Sequence, residues 1–199
     1  VTLTPAERQE DSPGHAPGRY LPDNTAPEWV EAFTALPRSL FLPELIWAWD
    51  MDSGTSVAID RRTDPDAWLA AAASDIPIVT QWDDGAHDGI EAGRVSTSSA
   101  SMPSVVARMV AALDAHRGHT ALNLGVGTGW DTALLVHELG DAAVTALDVD
   151  ASVTTKARTR LAAAGYHPSA GSATERPPGP GAGSPCSSPV PPGIQAVVV

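Results

Sequence analysis

The sequence predicts an α/β protein built on an incomplete, doubly wound parallel sheet, with a helical and extended region before it and a disordered tail after it. Three observations carry that expectation. Residues 120–124 and 143–147 are short and almost continuously apolar, the pattern of strands covered on both faces. A glycine loop at 125–129 separates the first run from its helix. The order strand, helix, strand, helix then begins a doubly wound sheet.

Taken along the chain, residues 1–26 are polar and dotted with Pro and Gly, so they read as a disordered leader. Pro27, with Glu28 in the first turn, opens a helix that must end before Pro37. Leu36-Pro37-Arg38-Ser39-Leu40-Phe41-Leu42-Pro43 is apolar but broken by proline, hence an extended or turning connection. Residues 56–60 suit a short strand. Asp64 and Pro65 cap and open a helix through Ala73.

Residues 76–82 are β-branched and apolar, a strand, and 83–94 form a Gly- and Asp-rich loop. A run of small hydroxyl residues, 96–101, precedes a helix opened by Pro103 and reaching Leu113, for which a serine is a suitable cap. Helices are expected at 130–139 and 152–164, the latter stopped by Gly165. From Ser169 to Val199, Pro, Gly and Ser dominate and only Glu175 and Arg176 are charged. Such a segment cannot bury enough apolar surface to offset its ordering entropy, so a disordered tail is expected.

Composition narrows the function. Twelve Lys and Arg against 24 Asp and Glu give a formal net charge of −12, which disfavours nucleic acid and anionic membrane as partners. The lone cysteine, Cys186, allows no intramolecular disulfide. No apolar run approaches the ~20 residues of a membrane span, and the polar start lacks a signal peptide's pattern. A cytoplasmic setting is therefore expected. The six histidines show no metal-ligand spacing, so no metal is expected.

Leu124-Gly125-Val126-Gly127-Thr128-Gly129 places glycine at alternate positions between strand and helix. Glycine is needed where backbone turns sharply and a ligand lies against the main chain. The helix start beyond it offers free N–H groups. Asp148, at the end of the second strand, is placed to accept ribose hydroxyls. A purely structural turn is the bland alternative. A nicotinamide-type loop would have its third glycine where Trp130 stands, and a phosphate loop needs a Gly-Lys-Ser/Thr ending that is absent. The combination favours S-adenosylmethionine.

Ser99-Ala100-Ser101-Met102-Pro103, the Val106-Ala107-Arg108-Met109 helix and the glycine loop, in this order, resemble the protein-L-isoaspartate O-methyltransferase family. The Pro37-Arg38 segment, Ala133-Leu134-Leu135, Ala157-Arg158, Leu161 and Gly165-Tyr166 add to the resemblance. Trp68, Pro77-Ile78-Val79-Thr80-Gln81 and Ser98-Ser99-Ala100-Ser101 look closest to a bacterial branch that accompanies ATP-grasp ligases in maturing ribosomal peptides.

The resemblance implies a Rossmann-like class I methyltransferase sheet and methyl transfer from S-adenosylmethionine to an aspartyl or isoaspartyl carboxylate of a protein or peptide, serving repair or modification. It implies Ser101 as the catalytic serine and Ser99, in the place of a threonine, among the cofactor-binding residues. Asn123, Gly125, Val126, Gly127 and Gly129 would lie beside the cofactor's methionine part, and Asp148 beside its ribose. The chain then divides into a leader (1–26), an N-terminal region carrying the substrate-side segment (27–101), a cofactor half-domain (102–168) and a tail (169–199).

Two departures stand out. Asn123 replaces the family's acid, removing a charge near the cofactor's ammonium group. After Pro168, the family's third strand, Gly-Asp-Gly turn and Ala-Pro-Tyr-Asp strand start have no visible counterpart, as though the chain were truncated or frame-shifted. A sheet missing later strands exposes an edge and an apolar face, so poor solubility and weak or absent activity are expected. The alternative function is an inactive remnant or binding module of the same fold.

Overall fold

The structure, a computed structural model, describes residues 20–23, 25–172 and 194–198. Its strands form two sheets. The first is antiparallel and has the order β2-β1-β3-β4, from β1 (Leu45–Asp50), β2 (Thr55–Asp60), β3 (Ile78–Trp82) and β4 (Ser96–Ala100). The second is parallel and has the order β7-β6-β5-β8, from β5 (Thr120–Leu124), β6 (Val144–Asp148), β7 (Ser169–Ser172) and β8 (Ile194–Val198).

The helices follow from their caps. Helix α1 (Pro27–Ala35) begins with Pro at its first position. In α2 (Pro65–Ala73), Asp64 accepts the Ala67 N–H at 2.9 Å as expected. Helix α3 (Pro103–Leu113) has the expected bounds but not the expected serine cap. Met102 stands at its N-cap, and Asp75, distant in sequence, accepts the Ser104 N–H at 2.8 Å instead. Helix α4 (Trp130–Leu139) starts after Gly129 and stops at Gly140. Helix α5 (Ala151–Ala163) is capped by Asp150, which accepts the N–H groups of Ser152 and Val153.

The largest core joins α1, α3 and α4 to β5 and β6. Trp29, Phe33, Val106, Val110, Trp130, Leu134, Ala121 and Val144 pack there, with Phe33 edge-on to Trp130 at 5.6 Å between ring centroids. Ala146 packs with Val153 and Ala157 of α5. Ala121, Asn123, Val144 and Ala146 share one side of the pleat, so α4 and α5 cover the same face. On the opposite face Leu122, Leu124 and Leu147 are only half-buried. A separate core holds the antiparallel sheet, with Ile46, Ala48, Ile78 and Ala100 against Trp68, Ala71 and Ala72 of α2.

Two segments correct the expected tail. Ser169–Ser172 pairs with β6, and Ile194–Val198 pairs with β5. The four-residue β7 has almost no apolar signal; it is held by the main-chain ladder of a parallel neighbour and by Arg158, whose guanidinium donates to the Ala170 carbonyl. Third and fourth strands therefore exist beyond Pro168. The rest of the expected tail, 173–193 and Val199, and the expected leader up to residue 19 lie outside the described residues. Among the described residues, no helix is long and apolar enough to cross a membrane.

Two strands in the antiparallel sheet were not expected. Leu45–Asp50 follows a proline-broken run, where a short 3-10 turn, Arg38–Phe41, reverses the chain. Ser96–Ala100, the hydroxyl run, is an edge strand rather than a capping segment.

Candidate functional site

In the parallel sheet, β5 leads to β6 on one side while β8 lies on the other, so the order reverses beside β5. Open α/β sheets bind ligands at the strand ends where this reversal occurs. The loop after β5 is the glycine loop. Gly125, Gly127 and Gly129 all have positive φ (88°, 50° and 90°), backbone that other residues rarely adopt. The Gly125 N–H donates to the Leu147 carbonyl at 2.7 Å, tying the loop to the end of β6. A Cβ at Gly129 would meet Ala157 and Leu161 at 3.4 Å, so this glycine also admits α5.

Asp148 ends β6 and faces the loop. Its Oδ2 accepts the Gly127 N–H at 3.1 Å, and its Oδ1 accepts the Asp150 N–H at 3.0 Å. Each oxygen keeps a lone pair for a further donor. Asp148 and the glycine loop thus converge from two adjacent, parallel-paired strands.

The other expected residues are placed as follows. Val126 is buried beneath the loop. Ser99 lies in β4, exposed, and its carbonyl oxygen would stand 3.3 Å from a Cβ on Gly127. Asn123 is fully buried on the face that α4 covers: its Nδ2 donates to Thr132 Oγ1 at 3.2 Å, and its Oδ1 has no partner among the described residues. Such an orphaned acceptor is costly and usually marks a constraint beyond packing. Ser101 is half-buried between β4 and α3.

Ser101 is tied down by a residue that sequence reasoning left without a role. Arg38 is buried, and its guanidinium donates to the carbonyls of Ala71, Ala72, Ser74 and Ile76 and, at 2.9 Å, of Ser101. Burial lowers its pKa to about 10, opposed most by Asp75. Asp131, in the first turn of α4, is pushed up to about 7 by its surroundings despite the nearby Arg38 charge. Part of Asp131 still reaches solvent.

A small cavity touches the glycine loop at Gly127. About 20 Å³ lies between Gln81 and Ser98 on one side and Gly127, Val153 and Arg160 on the other. That space holds one water, whereas ligand pockets run from about 300 Å³ upward. Gln81, which lines it, donates from Nε2 to Asp150 Oδ2 at 2.8 Å. This hydrogen bond is the largest influence holding the Asp150 carboxyl below its ordinary range. Neither Gln81 nor Asp150 was assigned a role from the sequence, although Gln81 closes the Pro77-Ile78-Val79-Thr80-Gln81 stretch and Asp150 stands two residues after Asp148. A wider, open cleft of about 530 Å³ is lined by Asp83, His87 and Arg94 and contains none of the expected residues. Among the described residues, no three His, Cys, Asp or Glu side chains are grouped so as to hold a metal.

Residues 78–174 match the family described as Protein-L-isoaspartate(D-aspartate) O-methyltransferase (PCMT). Across that span the chain is similar to the protein-L-isoaspartate O-methyltransferase family. The matched segment runs from β3 through the hydroxyl strand, the glycine loop and Asp148 to β7. A solved structure described as a protein-L-isoaspartate O-methyltransferase superposes with a TM-score of 0.52 at 19% identity, over 74% of this chain and 38% of that one. At that identity the likeness speaks for the fold alone, a Rossmann-like α/β sheet. This chain spans under two-fifths of that protein's length. No curated protein sequence matches it.

Proposed function

We propose that this chain carries the cofactor half of an S-adenosylmethionine-dependent carboxyl O-methyltransferase, acting on aspartyl or isoaspartyl residues of a protein or peptide. The observation that supports this reading best is the Asp148 carboxylate turned onto the Gly127 amide from the neighbouring strand.

The residues fit the cofactor in kind. Asp148 has acceptor capacity for ribose hydroxyls, the glycine loop brings bare backbone to the strand ends, and Asn123 Oδ1 is a spare acceptor beneath it. The fit in volume requires the cleft to open. When bound, the cofactor supplies a methyl group on a positively charged sulfur. A substrate carboxylate is ionised at neutral pH, so no residue here need act as a strong base. The work of the chain is then to orient the carboxylate oxygen and exclude water. In this reading the Ser101 hydroxyl orients the substrate. Ser99, Val126 and the loop glycines Gly125, Gly127 and Gly129 border the cofactor's methionine part. The methyl ester so formed can close to a succinimide as the next residue's backbone nitrogen attacks the ester carbonyl and methanol leaves, which suits repair of damaged protein as well as peptide modification. A cytoplasmic setting fits the lone cysteine.

A second reading, a remnant that binds no cofactor, is favoured by the small volume of the cavity beside Gly127. Incubation with methyl-labelled S-adenosylmethionine and paired isoaspartyl and aspartyl peptides separates the two. Base-labile label on a peptide, lost in Ser101→Ala, supports the enzyme; no transfer to either peptide supports the remnant.

A further inference from the structure

Two backbone features bring the two sheets against each other at the glycine loop. Strand β3 slips register against β4 on both sides of Gln81, from Val79↔Ser99 to Gln81↔Ser98 to Trp82↔Ser96. A bulge of this kind redirects a side chain, and here Gln81 is buried with its amide nitrogen on Asp150. On the other side, the Ser99 carbonyl comes so near Gly127 that a Cβ there would stand at 3.3 Å. Strand β4 and the loop thus approach closely, and the hydrogen bond from Gln81 to Asp150 ties β3 to the start of α5 beside them.

Asp150 is well placed to hold such a contact. Its Oδ1 is fixed by the N–H groups of Ser152 and Val153 at the start of α5, which leaves Oδ2 directed at Gln81. Through its own N–H it is also bonded to Asp148. Whatever moves Asp150 therefore reaches the carboxylate proposed to hold the ribose.

We propose that the hydrogen bond between Gln81 and Asp150 is a latch that keeps the glycine-loop cleft shut, so that Gln81 sets how readily a nucleoside cofactor enters. The inference rests on the cofactor reading above for its ligand, but not for the latch itself. A ligand that needs an open form binds with its intrinsic affinity reduced by the fraction of molecules open. A hydrogen bond to a charged acceptor is strong enough to change that fraction by about tenfold or more.

The test compares the whole chain with Gln81→Ala, which deletes the donor, and Gln81→Glu, which keeps the volume but sets two carboxylates face to face. S-adenosylhomocysteine binding is followed by calorimetry and by rapid mixing, and amide exchange is measured without ligand. Both variants are expected to bind about tenfold tighter and associate faster, and to exchange faster at residues 96–100 and 125–128. Wild-type affinity, rate and exchange in both variants would overturn the latch. Absence of binding in all three proteins overturns the cofactor reading instead. The exchange data then decide the latch alone, and unchanged exchange sinks it. Should Gln81→Ala not fold, Gln81→Glu carries the same comparison.

Discussion

The two sheets achieve order by different means. The parallel sheet draws on a broad core in which α1, α3 and α4 pack together, and apart from Asn123 its central strands are apolar on the covered face. The antiparallel sheet has a smaller core centred on one fully buried tryptophan, Trp68, whose indole N–H donates to the Pro43 carbonyl. Its connections are held by polar clamps, above all the five carbonyls gathered by Arg38. The contrast teaches where each half is vulnerable. The parallel half can lose one side chain and share the loss, while the antiparallel half depends on a few.

The largest expected effect breaks this comparison directly. Trp68→Ala should cost about 3–5 kcal/mol, as large aromatic deletions in a core do. Amide exchange should then show protection lost in β1, β2 and β3 but kept in β5 and β6. Leu134→Ala, in the larger core, should lower protection in β5 and β6 first. If Trp68→Ala removes protection evenly from both sheets, the two cores are one cooperative unit and the contrast fails.

Next comes Asp131, where the halves meet electrostatically through Arg38. Its folded pKa, about 7, lies above the ordinary 3.8, so the folded protein keeps a proton that the unfolded chain has lost. Stability is full below about pH 4, falls as pH rises towards 7, and stays low above it. Asp131→Asn should flatten that slope in thermal melts and stabilise the protein at pH 8. The gain is roughly 2 kcal/mol, reduced by the partial exposure of the group. A slope unchanged in the variant would show that burial at Asp131 is not its cause.

The smallest effect concerns the cap of α2. Asp64→Ala should cost about 1 kcal/mol, and Asp64→Asn much less, since an amide oxygen still accepts from Ala67. Denaturant melts can read the difference. A loss from Asp64→Ala as large as that from Trp68→Ala would mean that the helix, not the tryptophan, limits this half.

The same contrast explains what was legible in the sequence. Pro27, Asp64-Pro65, Pro103, Gly140 and Gly165 punctuate helices locally, and those helices stand within a residue or two of their expected bounds. The buried strands β5 and β6 were equally plain, because continuous apolar runs have few other uses. In the antiparallel sheet the signal was tertiary. Ser96–Ala100 carries no strand pattern of its own and becomes a strand by pairing with β3. Ile194–Val198 is apolar enough, but its pairing with β5 spans a long sequence separation that no local pattern encodes.

At the candidate site, the glycine loop and Asp148 were readable because their positions follow from strand ends. The burial of Asn123 under α4 was not, since that depends on which face the helices cover. Nor was the partnership of Gln81 with Asp150, which requires a bulge in one sheet to meet a helix cap in the other.

The central claim is that Asp148 and the glycine loop together hold a nucleoside. Calorimetric titration of the wild-type chain and of Asp148→Ala with S-adenosylhomocysteine tests it most directly. Saturable heat is expected for the wild type and affinity weakened about tenfold or more in the variant, the scale of a lost charge-assisted hydrogen bond. Equal affinity in the two proteins, or no heat in the wild type, would contradict it.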